Sequence, residues 1–507
     1  MRRVSSLLLA ILTMIALAVT PEAQSPRGNR HLLVVLDGLR PDYITPEIMP
    51  NLYELGRRGV VFSNHHSVFP TVTRVNASSI STGAYPATHG LMGNSVFFPE
   101  VDPRRFLDTS ERTDLLKIDG ATAGGLLTAP SLGEILQAAG RKVLVVSSGS
   151  SGSATLLNHR VAGGAILHSE FSLPDTYQRE AIAKLGEVPP VATPNDRRNR
   201  RAVDTFLQIG LPQIKPDVTL LWLSDPDETA HAHGIGHPTT VEALKRVDGE
   251  LKRLQGGLAA AGLLDTWNIW VTSDHGFSTG TGGVDLNALI EPFAGTRADG
   301  SPRIVNGGGA IYVRDGGTDL VSNIVGALQR TSTVGAIFTR AAKAGDLDGR
   351  VQGTLSFDAI KWTHARSADI LFAPNWSDVR NAHGFAGASS SGGVAGHGNS
   401  SPYDVHNVLM AWGPDLKQKL TVSRPSANVD FAPTFLKLFG LDIPSSMDGR
   451  PLEEALRGGT EPDHLTTRSI RHTVRNADGS YSLTAFFTVL EDSRRSYRYF
   501  DYTRVEH

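Results

Sequence analysis

The chain runs to 507 residues, 40% hydrophobic and 20% charged, which excludes a disordered or fibrous protein and exceeds the size at which a single core usually stops growing. One large domain with a substantial insertion, or two domains, is therefore expected. With 49 basic against 51 acidic residues, a net charge of −2 and no long basic run or basic-aromatic stripe, no nucleic-acid scaffold is expected as a partner.

At the N-terminus Arg2 and Arg3 precede an apolar run over residues 7–19 that includes the small residues Ala16 and Ala18, with Ala23 after it. This pattern reads as a secretory signal peptide over 1–23, so the mature protein is expected in the periplasm or outside the cell. The run falls short of the roughly 20 apolar residues a membrane span needs, and no later segment approaches that length, so no transmembrane span is expected in the mature chain. Cysteine is absent, so no disulfides are used even where the compartment would permit them.

Short β-branched and leucine-rich runs at 31–36, 142–146, 217–223, 267–272 and 407–412 predict strands, with helical patterns between them. Ser131 with Glu134 three residues on predicts a capping box, and Gly140 ends that helix. Further along, Val241, Leu244, Val247, Leu251, Leu254 and Leu258 recur at three- and four-residue intervals, which predicts an amphipathic helix lying on the sheet. The alternation predicts an α/β protein with a mainly parallel central sheet and helices on both faces. Over 279–396 the pattern loosens around Gly307, Gly308, Gly309 and a serine- and glycine-rich stretch, which we read as an inserted cap lobe. The catalytic core is then discontinuous, 30–278 and 397–507. Beyond Ser480, aromatic and β-branched residues predict added edge strands.

In open parallel sheets the ligand site lies beyond the carboxyl ends of the strands. There the predicted strands run into Asp37 in LVVLDGLR, Asp225 and Asp227 in LLWLSDPDETAHAHG, and Asp274 and His275 in IWVTSDHGF; His397, in AGHGNSSPYD, precedes another strand. A lone aspartate at such a place is usually a helix cap or turn residue. Several aspartates and histidines together are the ligand types that hold zinc and similar divalent ions. The segment FPTVTRVNASSISTGAYPATHGLMGN adds hydroxyls beside a predicted helix start, where a phosphoryl anion is favoured. Thr71 and Thr73 both qualify on chemistry, and either could be a simple N-cap.

These motifs stand in the order of a known family: a strand ending in Asp-Gly at Asp37, FPTxT ending at Thr73, HGxxGN ending at Asn94, PDxxxH from Asp227 to His231, SDHG with Asp274 and His275, and a final GHG with His397. Over most of its length the chain resembles the alkaline phosphatase superfamily and, within it, the type I phosphodiesterase and nucleotide pyrophosphatase branch. Each motif is weak alone; six in order are specific. The resemblance implies two divalent ions, zinc in the family, one held by Asp227, His231 and His397 and the other by Asp37, Asp274, His275 and Thr73. It selects Thr73 over Thr71 as nucleophile, gives Asn94 a hydrogen bond to a phosphoryl oxygen, and implies a covalent phospho-threonine that water then hydrolyses. The partner is then a small-molecule phosphate ester.

The chain also departs from that pattern. After the nucleophile it carries Arg74, Val75 and Asn76, so Arg74 is a candidate substrate contact beside its alternative as an exposed helix-start residue. Monoester-specialised members carry a basic pair where this chain reads VVSSGSSGSATLLNHR, with only His159 and Arg160 somewhat later, which tilts the expectation toward diesters. His65 and His66 are candidate pocket residues without a partner pattern; His233, His237, His383 and His406 default to structure. The leading expectation is a phosphodiesterase or nucleotide pyrophosphatase. A phosphomonoesterase or phosphonate-ester hydrolase on the same metal core comes second. A metal-stabilised binding protein without catalysis is the reading from another class, and the chemically competent residues in all six motifs speak against it.

Overall fold

Strand β1, Arg30–Leu36, is buried along nearly its whole length, because parallel neighbours flank both its edges and helices cover both its faces. It belongs to a nine-stranded sheet in a computed structural model that describes residues 28–161, 163–459, 465–491 and 495–507. The expected signal peptide, 1–23, lies outside the described residues. The other strands are β2 Val60–Phe62, β3 Val143–Ser147, β4 Ala165–His168, β5 Ser172–Leu173, β6 Val218–Leu223, β7 Trp267–Thr272, β8 Leu409–Trp412 and β9 Leu420–Val422. They lie in the order β9-β2-β8-β7-β1-β6-β3-β4-β5, and all but β5 and β8 run in one direction. The mainly parallel α/β sheet expected from the sequence is therefore present. The last predicted strand, β8, pairs antiparallel with β7.

Alternation of side chains splits the sheet's apolar residues between two cores. Leu33, Val35, Val145, Leu220, Trp222 and Trp270 face one, together with Leu132 and Leu136 from a helix over Leu132–Ala138. That helix has the predicted capping box between Ser131 and Glu134. Leu32, Val34, Leu36, Leu221 and Val271 face the other, covered by Leu244, Val247, Leu251, Leu254 and Leu258 of the long helix Pro238–Ala260. The helix read from its apolar spacing thus lies on the sheet.

The segment with the loosened pattern is more regular than its sequence indicates. Ile304–Gly307, Ala310–Val313, Val334–Thr339, Leu355–Ser356 and Ile370–Pro374 form a five-stranded sheet, and Gly317–Gln329 is a helix that buries Val321, Ile324, Val325 and Leu328. Phe338, Leu371 and Leu355 join the same apolar cluster as Leu33 and Val35, so this segment packs continuously with one face of the central sheet. The tail differs from the expectation of edge strands. Thr466–Arg475, Ser482–Glu491 and Ser496–Glu506 make a separate antiparallel sheet, because each strand finds its partner in the adjacent hairpin. Among the described residues no helix is long and apolar enough to cross a membrane.

Candidate metal centre

Because β7, β1 and β6 are adjacent and parallel, the residues that follow them meet at one end of the sheet. Asp37 follows β1 directly, Asp274 and His275 follow β7, and Asp227 opens a short helix, Asp227–His233, after β6. His397 comes in from the loop after a strand over Ala395–Gly396.

Six side chains, these five and His231, form two groups able to hold a metal, Asp37 with Asp274 and His275, and Asp227 with His231 and His397; within each group the donor atoms lie within 4.8 Å of one another. His275 Nε2 stands 3.1 Å from Asp274 Oδ2 and 3.6 Å from Asp37 Oδ1. Asp227 Oδ1 stands 3.5 Å from both His231 Nε2 and His397 Nε2. The groups adjoin, since Asp227 Oδ1 is also 4.0 Å from His275 Nε2 and the rings of His275 and His397 stack at 3.6 Å. The first group is buried throughout, whereas the His231 side chain is 44% exposed, so the pair of groups opens to solvent on the His231 side.

The donor set fits divalent ions. Asp37 Oδ1, Asp227 Oδ1 and Asp274 Oδ2 are buried oxygens with no hydrogen-bond partner, a costly arrangement unless a cation occupies the space they face. Each histidine has its Nδ1 against a backbone carbonyl: Gly276 at 2.9 Å for His275, Ala395 at 3.1 Å for His231 and Thr71 at 3.0 Å for His397. That contact places the proton on Nδ1 and leaves the Nε2 lone pair facing the carboxylates, as metal-ligating imidazoles require. Supporting donors fix the aspartates as well. Trp222 Nε1 donates to Asp37 Oδ2 at 2.8 Å, and the backbone N–H of Gly38 donates to Asp274 Oδ1 at 3.1 Å. Burial, reinforced by the charges of Asp274 and Asp227, pushes the Asp37 carboxyl well above the usual range, and burial also raises Asp227. A bound cation would relieve that repulsion.

Thr73 begins a helix over Thr73–Thr82 and is buried, its Oγ1 3.3 Å from His275 Nε2. Thr71, two residues earlier, points its hydroxyl away and donates to the Asn399 carbonyl at 2.8 Å. Asp225 is likewise saturated: it accepts from the Thr229 hydroxyl, the Asn195 N–H and the Asn199 amide. Asn94 accepts from the Arg74 N–H at 3.0 Å through Oδ1, which leaves its amide N–H groups free to donate. Arg74 Nε is buried without a partner, and burial lowers the Arg74 pKa within reach of the charges of Asp37, Asp108, Asp227 and Asp274.

Other candidates fall outside this group. His65 is satisfied by Ser426 Oγ at 2.8 Å and Asn428 Oδ1 at 3.0 Å, and His66 faces Asp501. Neither belongs to the two metal groups; the strand His65–His66 pairs instead with Ser426–Ala427 and His406–Asn407 in a separate three-stranded sheet. Arg160 is held by the Gly124 carbonyl and lies 3.7 Å from Asp119. Sequence reading missed the supporting shell, Trp222, the Gly38 N–H and the Ala395 and Thr71 carbonyls. Of these only Trp222 carried a signal, a lone polar N–H inside an apolar strand.

The fold and the site together define an α/β protein with a carboxylate–imidazole cluster at the carboxyl ends of its central strands. The family model described as type I phosphodiesterase / nucleotide pyrophosphatase matches residues 31–379, and the chain belongs to that family. Among curated relatives, human ectonucleotide pyrophosphatase/phosphodiesterase family member 1 is 28% identical over 265 residues, 51% of this chain and 25% of its own length. The bis(5'-adenosyl)-triphosphatase enpp4 of Xenopus laevis is 26% identical over 304 residues, 58% of each chain. The chain thus spans about a quarter of the mammalian relatives it matches. Among solved structures, a mutant of alkaline phosphatase PafA superposes with a TM-score of 0.63 at 17% identity, covering 86% of this chain and 100% of that one. Murine ectonucleotide pyrophosphatase/phosphodiesterase 5 gives 0.58 at 17% identity, with 84% and 100% covered. The chain therefore shares the fold of these two structures.

Proposed function

We propose that this chain hydrolyses phosphate diesters of the nucleotide type through a covalent phosphoryl group on Thr73, with a pair of divalent ions, zinc by family precedent. The observation that carries this reading is the position of the Thr73 hydroxyl, 3.3 Å from His275 Nε2 at a helix start, among three buried carboxylate oxygens that lack partners. Asp37, Asp274, His275 and Thr73 would hold one ion, and Asp227, His231 and His397 the other. When bound, such a pair supplies Lewis-acid stabilisation of charge on the entering and leaving oxygens. Thr73 would lose its hydroxyl proton to solvent, and its Oγ1 would bond to phosphorus as the P–O bond to the leaving group breaks, the departing alkoxide taking up a proton from water. Water would then attack the same phosphorus, its proton passing to Thr73 Oγ1 by way of solvent as the P–Oγ1 bond breaks, so the two in-line steps retain configuration. Asn94 donates from its amide to a non-bridging oxygen, and Arg74 offers its guanidinium beside the nucleophile.

The diester preference is supported by the stretch after β3, where Ser148 is bound to Asn199, Ser150 caps a helix over Ser151–Leu157 and Arg160 is engaged elsewhere. No basic pair is left there for a second phosphoryl charge. Monoester hydrolysis on the same core is the second reading, favoured by the unpartnered Arg74 Nε. We assign residues 30–278 and 397–507 to the discontinuous catalytic core and 279–396 to an inserted lobe, in a protein exported after loss of residues 1–23.

With zinc-loaded protein, bis(p-nitrophenyl) phosphate should turn over faster than p-nitrophenyl phosphate; the reverse order would establish the monoester reading instead. Thr73→Ala should lower turnover by about 10³-fold or more, as removal of a nucleophile does, and undiminished turnover would refute the covalent route. Thr71→Ser, which keeps a hydroxyl for the Asn399 carbonyl, should stay close to the parent.

A further inference from the structure

A third cluster of metal-ligating side chains lies outside the centre described above. His66, His406 and Asp501 bring one donor atom each within 4.8 Å of one another. They come from three separate parts of the chain. His66 lies on the short strand His65–His66, His406 on the strand paired antiparallel with it, and Asp501 on the last strand of the C-terminal sheet.

Hydrogen bonding around His66 does not balance for a neutral imidazole facing an ionised carboxylate. Nδ1 lies 2.9 Å from the Ser426 carbonyl oxygen, and Nε2 lies 2.8 Å from Asp501 Oδ1, in a side chain that is almost wholly buried. A neutral imidazole has one N–H, so with Nδ1 donating to the carbonyl, the Nε2 lone pair points at a carboxylate. A second proton on His66 would satisfy that contact alone. The His406 ring lies 4.6 Å from the His66 ring between centroids, makes no side-chain hydrogen bond among the described residues and offers a third donor to the same point. A divalent ion satisfies all three at once.

The surroundings are those of a supported ligand set. Ser426 holds His66 Nδ1 through its carbonyl, and the Thr488 hydroxyl donates to Asp501 Oδ2 at 2.9 Å, leaving Oδ1 for the ion. Two imidazoles and one carboxylate select zinc or a similar transition ion over magnesium or calcium, which favour all-oxygen shells. His406 also lines a groove of about 590 Å³ together with Asn407 and Val408, which gives an ion and a coordinated water access from solvent.

We propose that His66, His406 and Asp501 bind a third divalent transition-metal ion, separate from the proposed catalytic pair, that fastens the C-terminal sheet to the segment carrying Thr73. His66 is seven residues before Thr73 and His406 nine after His397, so this ion would pin both approaches to the active centre from outside it.

The test is zinc stoichiometry by elemental mass spectrometry on the full chain, stripped with chelator, reloaded with zinc and dialysed. His406→Ala should carry one zinc fewer than the parent, and Asp501→Asn, which preserves shape and the Thr488 contact, should show the same loss. The difference between parent and variant reads this site whatever the catalytic pair holds, so failure here and failure of the dinuclear reading are distinguishable. Zinc should also raise the melting temperature of the parent more than that of either variant. Equal zinc content in parent and variants would overturn the site and leave His66 and Asp501 as a proton-bridged pair.

Discussion

Asp37 depends on a neighbour that takes no part in holding an ion. The Trp222 N–H fixes Oδ2 at 2.8 Å, so Oδ1 is the oxygen turned toward His275. Trp222→Phe should therefore weaken zinc binding by about 10- to 100-fold, the usual effect of losing a supporting contact, while the polypeptide still folds. Competition against a chromophoric chelator measures this; unchanged affinity would show that the indole only packs. His89 illustrates a different residue-scale effect. Its Nδ1 accepts from the Leu91 N–H at 3.1 Å, its Nε2 meets Ser79 Oγ at 3.1 Å, and burial lowers its pKa to about 3. The folded state keeps it neutral, whereas the unfolded chain takes up a proton below its ordinary value of 6.5. Its contribution is thus intact above pH 6.5 and lost progressively as pH falls toward 3. At pH 5, 1.5 pH units below 6.5, the loss is about 2 kcal/mol. Urea midpoints at pH 7.5 and 5 should register this, and His89→Gln should remove that share of the acid sensitivity.

At the scale of elements, the helix Leu132–Ala138 is held at its start by reciprocal contacts: Glu134 N–H to Ser131 Oγ at 3.3 Å, and Ser131 N–H to Glu134 Oε2 at 2.8 Å. Ser131→Ala should cost about 1 kcal/mol in urea unfolding, the ordinary worth of an N-cap, with little effect on turnover because the helix lies on one face of the sheet rather than at its carboxyl end. The SDHG turn is constrained more tightly. A Cβ on Gly276 would fall 2.0 Å from the Tyr403 carbonyl oxygen, and the Gly276 N–H donates to the Asp404 carbonyl at 2.8 Å. The glycine lets two backbones meet and so fixes His275 beside Asp274. That reason was invisible in the motif, because Tyr403 is more than a hundred residues away.

For the whole molecule, the ion pair and the fold should be coupled. Without cations, three buried carboxylate oxygens face one another and His275, so chelation should lower the melting temperature as well as abolish turnover. At free zinc near 1,000 times the dissociation constant each site would contribute about 4 kcal/mol. Calorimetry with and without chelator tests this, and coincident transitions would contradict the ligand set. The sequence by itself determined the alternation of strands and helices, the covering helix at Pro238–Ala260, the capping box and the motif order, because these are set by residues near one another in the chain. Tertiary structure supplied the physical reason that one of two neighbouring groups is available: Thr71 spends its hydroxyl on Asn399 and Asp225 its oxygens on Asn195, Asn199 and Thr229, whereas Thr73 and Asp227 face the centre. It also decided the antiparallel turn of β8, the regular sheet within 279–396 and the independence of the C-terminal sheet. The physical reason is common to all of these. Hydrogen-bond partners and strand neighbours are chosen across long stretches of chain, where composition and spacing carry no record of what will lie opposite.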